Sequence, residues 1–421
     1  MSLRLPTLTL ALIIAGVSAA AAQPLTLREA LVAALRDNPE LDAATRDVGV
    51  RQAKVWQAGL LPNPEVRLEA ENIGGSGDFA GVESAESTLK LSQLVELGGK
   101  RGARIAVAER QRDVAAGAVE LRQAALAAAT ARAFVAVLAA QEQLRLAERL
   151  RDLGEEAVAA VAAQLRAGGA SEANVLRVRV LRDEAGLVLV RREQELAAAR
   201  VELAALWGGG DPAFTRAGGD LWAVAPPPQL PPLLERVDTA PELALWQREL
   251  ASRASAVDVE RAGAIPDLLV GAGPRYFSDT GDVALVAEVT LPLPVFDRRQ
   301  GAIAAAQAHL ATGEAERRAA VVALRTAITR AHTALVAGYS VATALHQRVL
   351  PDADETLTVS REAYRRGTLR LDELHDAQRA LSDLRSREVE VLASYHQTAA
   401  ELTRLVGGTV DGSALPGEVM P

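Results

Sequence analysis

Cysteine is absent from this 421-residue chain, and aromatic residues make up only 3% of it. The first absence excludes a disulfide scaffold, a thiol nucleophile and any Cys-based metal site. It also leaves no cysteine to carry an N-terminal lipid. The scarcity of aromatics argues against a thick sandwich core, because aromatics normally supply much of the buried area there. The apolar share is nonetheless ordinary, at 49%, and is carried mostly by alanine, leucine and valine. That composition suits close-packed helices. An excess of positive charge is lacking too: a net charge of −8 and a pI near 5.4 exclude a protein that simply wraps nucleic acid. At roughly 100–200 residues per domain, the length would ordinarily suggest two to four domains.

The N-terminus stands apart from the rest. Arg4 precedes an apolar or small run from Thr7 to Ala22, which ends in Ala20-Ala21-Ala22 just before Gln23. This is the form of a cleavable secretory signal peptide, residues 1–22. Its removal takes away one charge and leaves 45 basic against 54 acidic residues. Downstream, no stretch reaches the roughly 18 uncharged apolar residues that a membrane helix needs. Even the alanine-rich run from Ala124 to Ala140 is interrupted by Arg132. Any membrane the mature chain crosses is therefore expected to be crossed by strands.

The chain also resembles itself at an offset near 200. Asn38-Pro39-Glu40-Leu41 pairs with Ala240-Pro241-Glu242-Leu243, and Ala58-Gly59 ahead of Pro62 pairs with Ala262-Gly263 ahead of Pro266. Leu165-Arg166-Ala167-Gly168 pairs with Tyr364-Arg365-Arg366-Gly367, and Trp207-Gly208-Gly209 with Val406-Gly407-Gly408, both at offset 199. The expected organisation is a first repeat over 23–209, a Gly/Pro-rich inter-repeat linker over 210–229, a second repeat over 230–408 and a flexible tail over 409–421.

Each repeat opens with helix. Thr26-Leu27-Arg28-Glu29 has the capping-box form, and Asn38-Pro39 divides that helix from a second one running to about Gly59. The period then changes. Val66, Leu68 and Ala70 alternate with Arg67, Glu69 and Glu71, and Leu89-Lys90-Leu91-Ser92 alternates again after a glycine-rich turn. The second repeat offers a strand from Asp267 to about Arg275, then another with Val283, Leu285, Ala287, Val289, Leu291 and Leu293 on one face. Very long helical patterns follow each strand pair, over 101–166 and 300–366. Each could reach on the order of 100 Å. Gly168-Gly169 and Gly367 end them, and return helices run over about 171–206 and 370–406.

Four strands cannot close a barrel, and an open sheet edge is not tolerated in lipid. Strands of near ten residues fit a tilted membrane crossing, so the pattern implies oligomerisation, with three chains supplying about twelve strands. Both strand-to-helix exits carry Gly or Pro beside basic residues: Gly98-Gly99-Lys100-Arg101 in the first repeat, and Pro292, Pro294, Arg298 and Arg299 in the second. Glycine and proline let a backbone leave a sheet sharply. The four cations are expected to ring the periplasmic rim of the barrel, against lipid headgroups or solvent.

On these features the chain resembles the TolC-type outer membrane efflux proteins, most closely their heavy-metal (cobalt-zinc-cadmium) branch. The resemblance covers nearly the whole mature chain, and its most specific parts are ELGGKRGARI (96–105) and LPLPVFDRRQGAI (291–303). It implies a mainly α fold with a membrane β-barrel: a homotrimer with a twelve-stranded barrel, continuous with a long α-helical coiled-coil tunnel in the periplasm. It implies two kinds of partner, a periplasmic adaptor (membrane fusion) protein and an inner-membrane transporter of the resistance-nodulation-division class. An equatorial belt would come from the linker near 210–230 and residues after Gly407. The implied function is a passive exit duct for heavy-metal cations in the outer membrane.

The resemblance also places a gate. Aligned on Gly367, Tyr364, Glu373 and Asp376 take the positions that close the periplasmic end, with Asn174 at the equivalent place in the first repeat. Glu373 and Asp376 are spaced i, i+3, so both can face a tunnel. A trimer would set six carboxylates around one axis, a ring that favours cations. Asn174 departs from the family's acidic pattern. Adaptor contacts fall on the turns Arg166, Gly168, Gly169 and Arg365, Arg366, Gly367.

Catalysis has little to draw on. The five histidines, His309, His332, His346, His375 and His396, make no i, i+4 pair of the kind a helical zinc site uses. His375, beside the acidic pair, reads as a solvated residue. Gly208-Gly209-Gly210 lacks the strand–loop–helix setting of a phosphate cradle. No enzyme activity, cofactor or resident metal is expected. Two other readings stand beside the metal duct: an exit duct of the same fold for drugs or other organic compounds, and a soluble periplasmic coiled-coil adaptor or scaffold.

Overall fold

A computed structural model of the chain describes residues 24–408, so the expected signal peptide and C-terminal tail lie outside the described residues. Helix α1 (Leu27–Asp37) starts on Thr26, whose hydroxyl accepts from the Glu29 amide at 3.2 Å while the Glu29 carboxylate accepts from the Thr26 amide at 2.8 Å. Asn38 then does two things. Its side-chain oxygen caps α2 (Pro39–Ala58) by accepting from the Leu41 amide, and its amide group donates to the Leu206 carbonyl at 2.8 Å. The break read from Asn38-Pro39 is thus also a tie to the far end of the same repeat.

Strands β1 (Glu65–Glu71) and β2 (Glu86–Val95) follow, then α3 (Lys100–Arg166) and α4 (Glu172–Ala205). After the linker, the order recurs as α5 (Leu230–Glu235), α6 (Pro241–Gly263), β3 (Leu268–Phe277), β4 (Val283–Thr290) and α7 (Gln300–Ala344). A π-helical turn (Leu345–Val349), α8 (Leu350–Arg365) and α9 (Leu371–Val406) complete it. The long pattern over 300–366 is therefore not one α-helix. Pro351 has no amide hydrogen to give the carbonyl four residues back, and its ring crowds that carbonyl, so the ladder slips by a residue there. No proline interrupts α3, which runs unbroken for 67 residues.

The four strands form one antiparallel sheet in the order β1-β2-β3-β4. The β2–β3 pairing, from Glu86↔Phe277 to Val95↔Leu268, joins the two repeats. β1 and β4 are shorter than the expected ten residues, at seven and eight. β4 stops at Thr290, so Leu291 and Leu293 fall outside it. Pro292 and Pro294 cannot donate to a ladder, which ends the strand. The outer edges of β1 and β4 have no neighbour among the described residues. Val66, Leu68, Leu89, Leu91, Leu285 and Val289 cover one face and are exposed; Arg67, Glu69, Lys90, Arg275 and Glu288 share the other.

Away from the sheet, the core lies partway along the helices. Leu27, Phe134, Val135, Leu138, Leu203 and Leu392 pack with Phe214, Ala217 and Leu221 of the linker. Ile328, Leu335, Tyr395 and Leu402 pack with Leu233, Val237 and Leu243. An 18-residue window of α3 reaches a mean hydropathy of 1.6, enough by length and composition for a membrane helix. That apolar content serves packing instead: Phe134, Val135 and Val137 are buried, and Arg132 pairs with Glu401 of α9 at 2.8 Å.

Candidate functional site

The residues singled out in the sequence occupy two ends of a long helical body, and a third set holds its middle. At the far end, the turns between α3 and α4 and between α8 and α9 have the same build. Gly168 and Gly367 both take left-handed backbone, φ +77° and +72°. The next amide in each turn reaches back five residues, from Gly169 to the Gln164 carbonyl (2.8 Å) and from Thr368 to the Ala363 carbonyl (3.0 Å). This is a Schellman closure made twice, and only glycine takes the left-handed position without strain. Arg166, Arg365 and Arg366 are exposed around these turns, with Arg366 paired to Glu362 at 3.1 Å.

Asn174 and Glu373 both stand at the third position of their helices, α4 and α9. Ser171 caps α4, accepting from the Asn174 amide. Arg370, at the matching place, has no side-chain acceptor to offer. There Glu373 accepts from the Arg370 amide at 2.9 Å, while Asp372 accepts from its guanidinium at 2.8 Å. Glu373 therefore shapes the turn as well as carrying charge. Asp376 lies one turn further on, and both acids are exposed in the protomer. The Tyr364 hydroxyl donates to Gln164 Oε1 at 3.2 Å, so the tips of the two hairpins touch.

His375 is not the solvated residue the sequence suggested. Its Nδ1 lies 3.1 Å from Gln378 Oε1, and its Nε2 is buried without a partner. It borders a pocket of about 260 Å³ lined by Leu150, Leu153, Val178 and Leu181. Burial is the main cause that holds its pKa below the ordinary value.

At the sheet end, Gly98 and Gly99 both have left-handed backbone, φ +68° and +72°. A Cβ on Gly98 would come within 2.7 Å of Ile265. Each of the four cations of the exits has a partner, although Arg101, Arg298 and Arg299 stay exposed. Lys100 pairs with Asp267 at 2.7 Å, Arg101 donates to the Gly59 carbonyl at 2.6 Å, and Arg299 pairs with Glu260 at 3.1 Å. Arg298 donates to the Pro294 carbonyl at 3.3 Å. An ion pair between Arg104 and Glu96 adds to this joint. Lys100 and Arg104 thus fasten α3 beside the ends of β3 and β2.

The contacts that hold the middle were not visible in the sequence. The linker is clasped by single polar side chains on the long helices. Gln141 bonds both the amide (2.8 Å) and the carbonyl (3.1 Å) of Ala217, and the Tyr395 hydroxyl donates to the Ala225 carbonyl at 2.6 Å. His332 Nε2 meets the Pro228 carbonyl, and His396 Nε2 the Leu221 carbonyl, each at 2.8 Å. Lone polar residues inside helical patterns carry no spacing signal, and the partners are backbone atoms, which sequence does not distinguish.

Among the described residues, no three His, Asp or Glu side chains gather where they could hold a metal ion. The arrangement offers a wall: an apolar outer sheet face, a charged inner face and paired helices, of which α9 carries Glu373 and Asp376 near its turn.

Two stretches, residues 30–209 and 237–408, match the family described as outer membrane efflux proteins. The cobalt-zinc-cadmium resistance protein CzcC of Cupriavidus metallidurans is 32% identical over 92% of this chain and 91% of its own. The nickel and cobalt resistance protein CnrC of the same organism is 29% identical over 70% of this chain and 71% of its own. Among solved structures, CusC, whose crystals concern transmembrane channel formation, superposes with a TM-score of 0.76 over 92% of this chain and 93% of its own, at 19% identity. That likeness shows a shared fold.

Proposed function

The chain belongs to the outer membrane efflux protein family, and on that footing we propose that three copies form the exit duct of a tripartite pump for heavy-metal cations. It is a transport protein and not an enzyme. The carrying observation is the sheet: both its edges are unpaired among the described residues, and the face with Leu68, Leu89, Leu285 and Val289 is exposed. Lipid tolerates an apolar face but not a free strand edge. Three copies pairing β1 to a neighbour's β4 would satisfy both conditions with twelve strands. The long helices would then surround a common axis below the barrel.

In this reading the turns at Gly168 and Gly367 meet a periplasmic adaptor, which links the duct to an inner-membrane transporter of the resistance-nodulation-division class. The exposed Arg166, Arg365 and Arg366 are the contacts to test first. Glu373, Asp376, Tyr364 and Asn174 form the gate, where Glu373 and Asp376 from three copies make a cation-favouring ring. The heavy-metal cargo is supported by the resistance named in the relatives CzcC and CnrC. A duct needs no ligand cluster, since tight binding would hinder passage.

Fractionation tests the assembly. The protein should stay with outer membranes after a carbonate wash and run as a trimer when unheated. Recovery as a soluble periplasmic monomer overturns the duct and favours the scaffold alternative.

A further inference from the structure

On the charged face of the sheet, two of the three cations are each shared between two acids. Lys90 on β2 reaches across β3 to Glu288 on β4, Nζ to Oε2 at 2.7 Å, and also lies 3.4 Å from Glu69 on β1. It can span β3 because Gly271 and Gly273 put no side chain in its way. A Cβ on Gly273 would overlap the Leu89 carbonyl oxygen, so that site accepts glycine alone. Nearer the strand turns, Arg275 makes a second cluster, 2.7 Å from Glu86 and 3.1 Å from Glu71, with Thr88 accepting from its Nε at 2.8 Å.

Each of these cations is shared by two carboxylates and sits low against the sheet. The Lys90 side chain is 9% exposed and that of Arg275 24%, whereas Glu69 is 33% and Glu71 53% exposed. Glu86, at 23%, is as covered as Arg275, and Arg67, at 49%, is the one open cation on this face. Over the strands the face carries Glu65, Glu69, Glu71, Glu86 and Glu288 against Arg67, Lys90 and Arg275. A mobile ion passing this wall meets five carboxylates against three cations, two of them low and shared between acids, and close charges dominate the local field.

We propose that the barrel is a second cation-selective section of the duct, independent of the periplasmic tip, with Lys90 the residue that sets its strength. The inference rests on the duct reading above. It assigns Lys90 two effects: it partly cancels Glu69 and Glu288, and it holds three strands together.

The test is the reversal potential of single trimers in planar bilayers under a KCl gradient, with unheated gel mobility confirming assembly of each variant. Lys90→Gln should shift the potential further toward that of potassium, and Glu69→Gln with Glu71→Gln should shift it toward zero. Glu373→Gln with Asp376→Asn, far from the sheet, should leave a residual cation preference. If assembled barrel variants keep the wild-type potential while the tip variant loses all preference, this inference fails and the duct reading stands. A wild-type trimer with no cation preference overturns both. If Lys90→Gln does not assemble, Glu69→Gln with Glu71→Gln decides alone.

Discussion

The Tyr364 hydroxyl donates to Gln164 Oε1 across the two hairpin tips, at 3.2 Å. The two residues lie three and four positions before the glycines that turn their hairpins, so one hydrogen bond fixes the spacing of both turns. Its ends are partly open to solvent, and a bond of this kind contributes about 1 kcal/mol. Tyr364→Phe should therefore raise the open fraction of the tip by about fivefold, read as single-channel open time. Gln164→Ala should match it, and the double variant should add little, since both remove one contact. Full additivity would show that the two residues act separately.

Glu373 combines charge with capping, and two substitutions separate these roles. Glu373→Gln keeps an oxygen for the Arg370 amide, so in combination with Asp376→Asn it should lower cation preference with little change in stability. Glu373→Ala removes the acceptor and should loosen the start of α9 by about 1 kcal/mol. Faster tryptic cleavage at Arg365 and Arg366 in the alanine variant, but not in Glu373→Gln, is the expected pattern. Equal cleavage in both would remove the capping role.

His396 gives the linker clasp a pH dependence. A carbonyl only accepts, so the proton sits on Nε2 facing Leu221, and the bare Nδ1 is buried without a partner. Burial is the main cause that holds this histidine below its ordinary pKa, because protonating Nδ1 would bury a charge. The unfolded chain then binds the proton more readily. Stability is full above about pH 6.5 and falls as the pH drops from there toward the folded-state value. Glu401, held below its usual range chiefly by Arg404, loses its contribution only in the more acid range below about pH 4.5. Thermal unfolding at pH 7.5 and 5.5 should differ in the wild type and differ less in His396→Gln. An equal difference in both would place the sensitivity elsewhere.

Gly208 and Gly407 end the return helices of the two repeats with φ +77° and +73°. Each lies against the proline that starts a helix ahead of the strands in its own repeat, Pro39 of α2 and Pro241 of α6. A Cβ on Gly208 would stand 3.3 Å from Pro39, whereas on Gly407 it would overlap the Pro241 ring. Left-handed strain alone costs about 1–2 kcal/mol. Gly407→Ala should therefore lower the temperature of trimer dissociation more than Gly208→Ala does. The reverse order would contradict this packing.

These pairs also show how far the sequence reaches. Gly407 and Pro241 were both marked by the internal repeat, because glycine and proline act through the backbone and leave a local signature. The strands were legible from the alternation of Val66, Leu68 and Ala70 with charged residues, and the Gly168 and Gly367 turns from their shared offset. The π turn before Pro351 has no signature of its own, since a proline within a long helical pattern announces a defect without its form. Lys90 read only as the polar half of an alternation. Its partner Glu288 lies 198 residues away, and only the β2–β3 and β3–β4 pairings together bring them close. His375 and His396 were invisible for a related reason, because burial is a property of the neighbours.

On the proposed function, this duct carries heavy-metal cations out of the cell. A strain lacking the protein, tested for growth on graded zinc, cobalt, cadmium, copper and a panel of organic drugs, addresses it most directly. The expected result is sensitivity to one or more of the metals, unchanged drug tolerance, and rescue by the wild-type chain. Unaltered metal tolerance together with new sensitivity to organic compounds would contradict it.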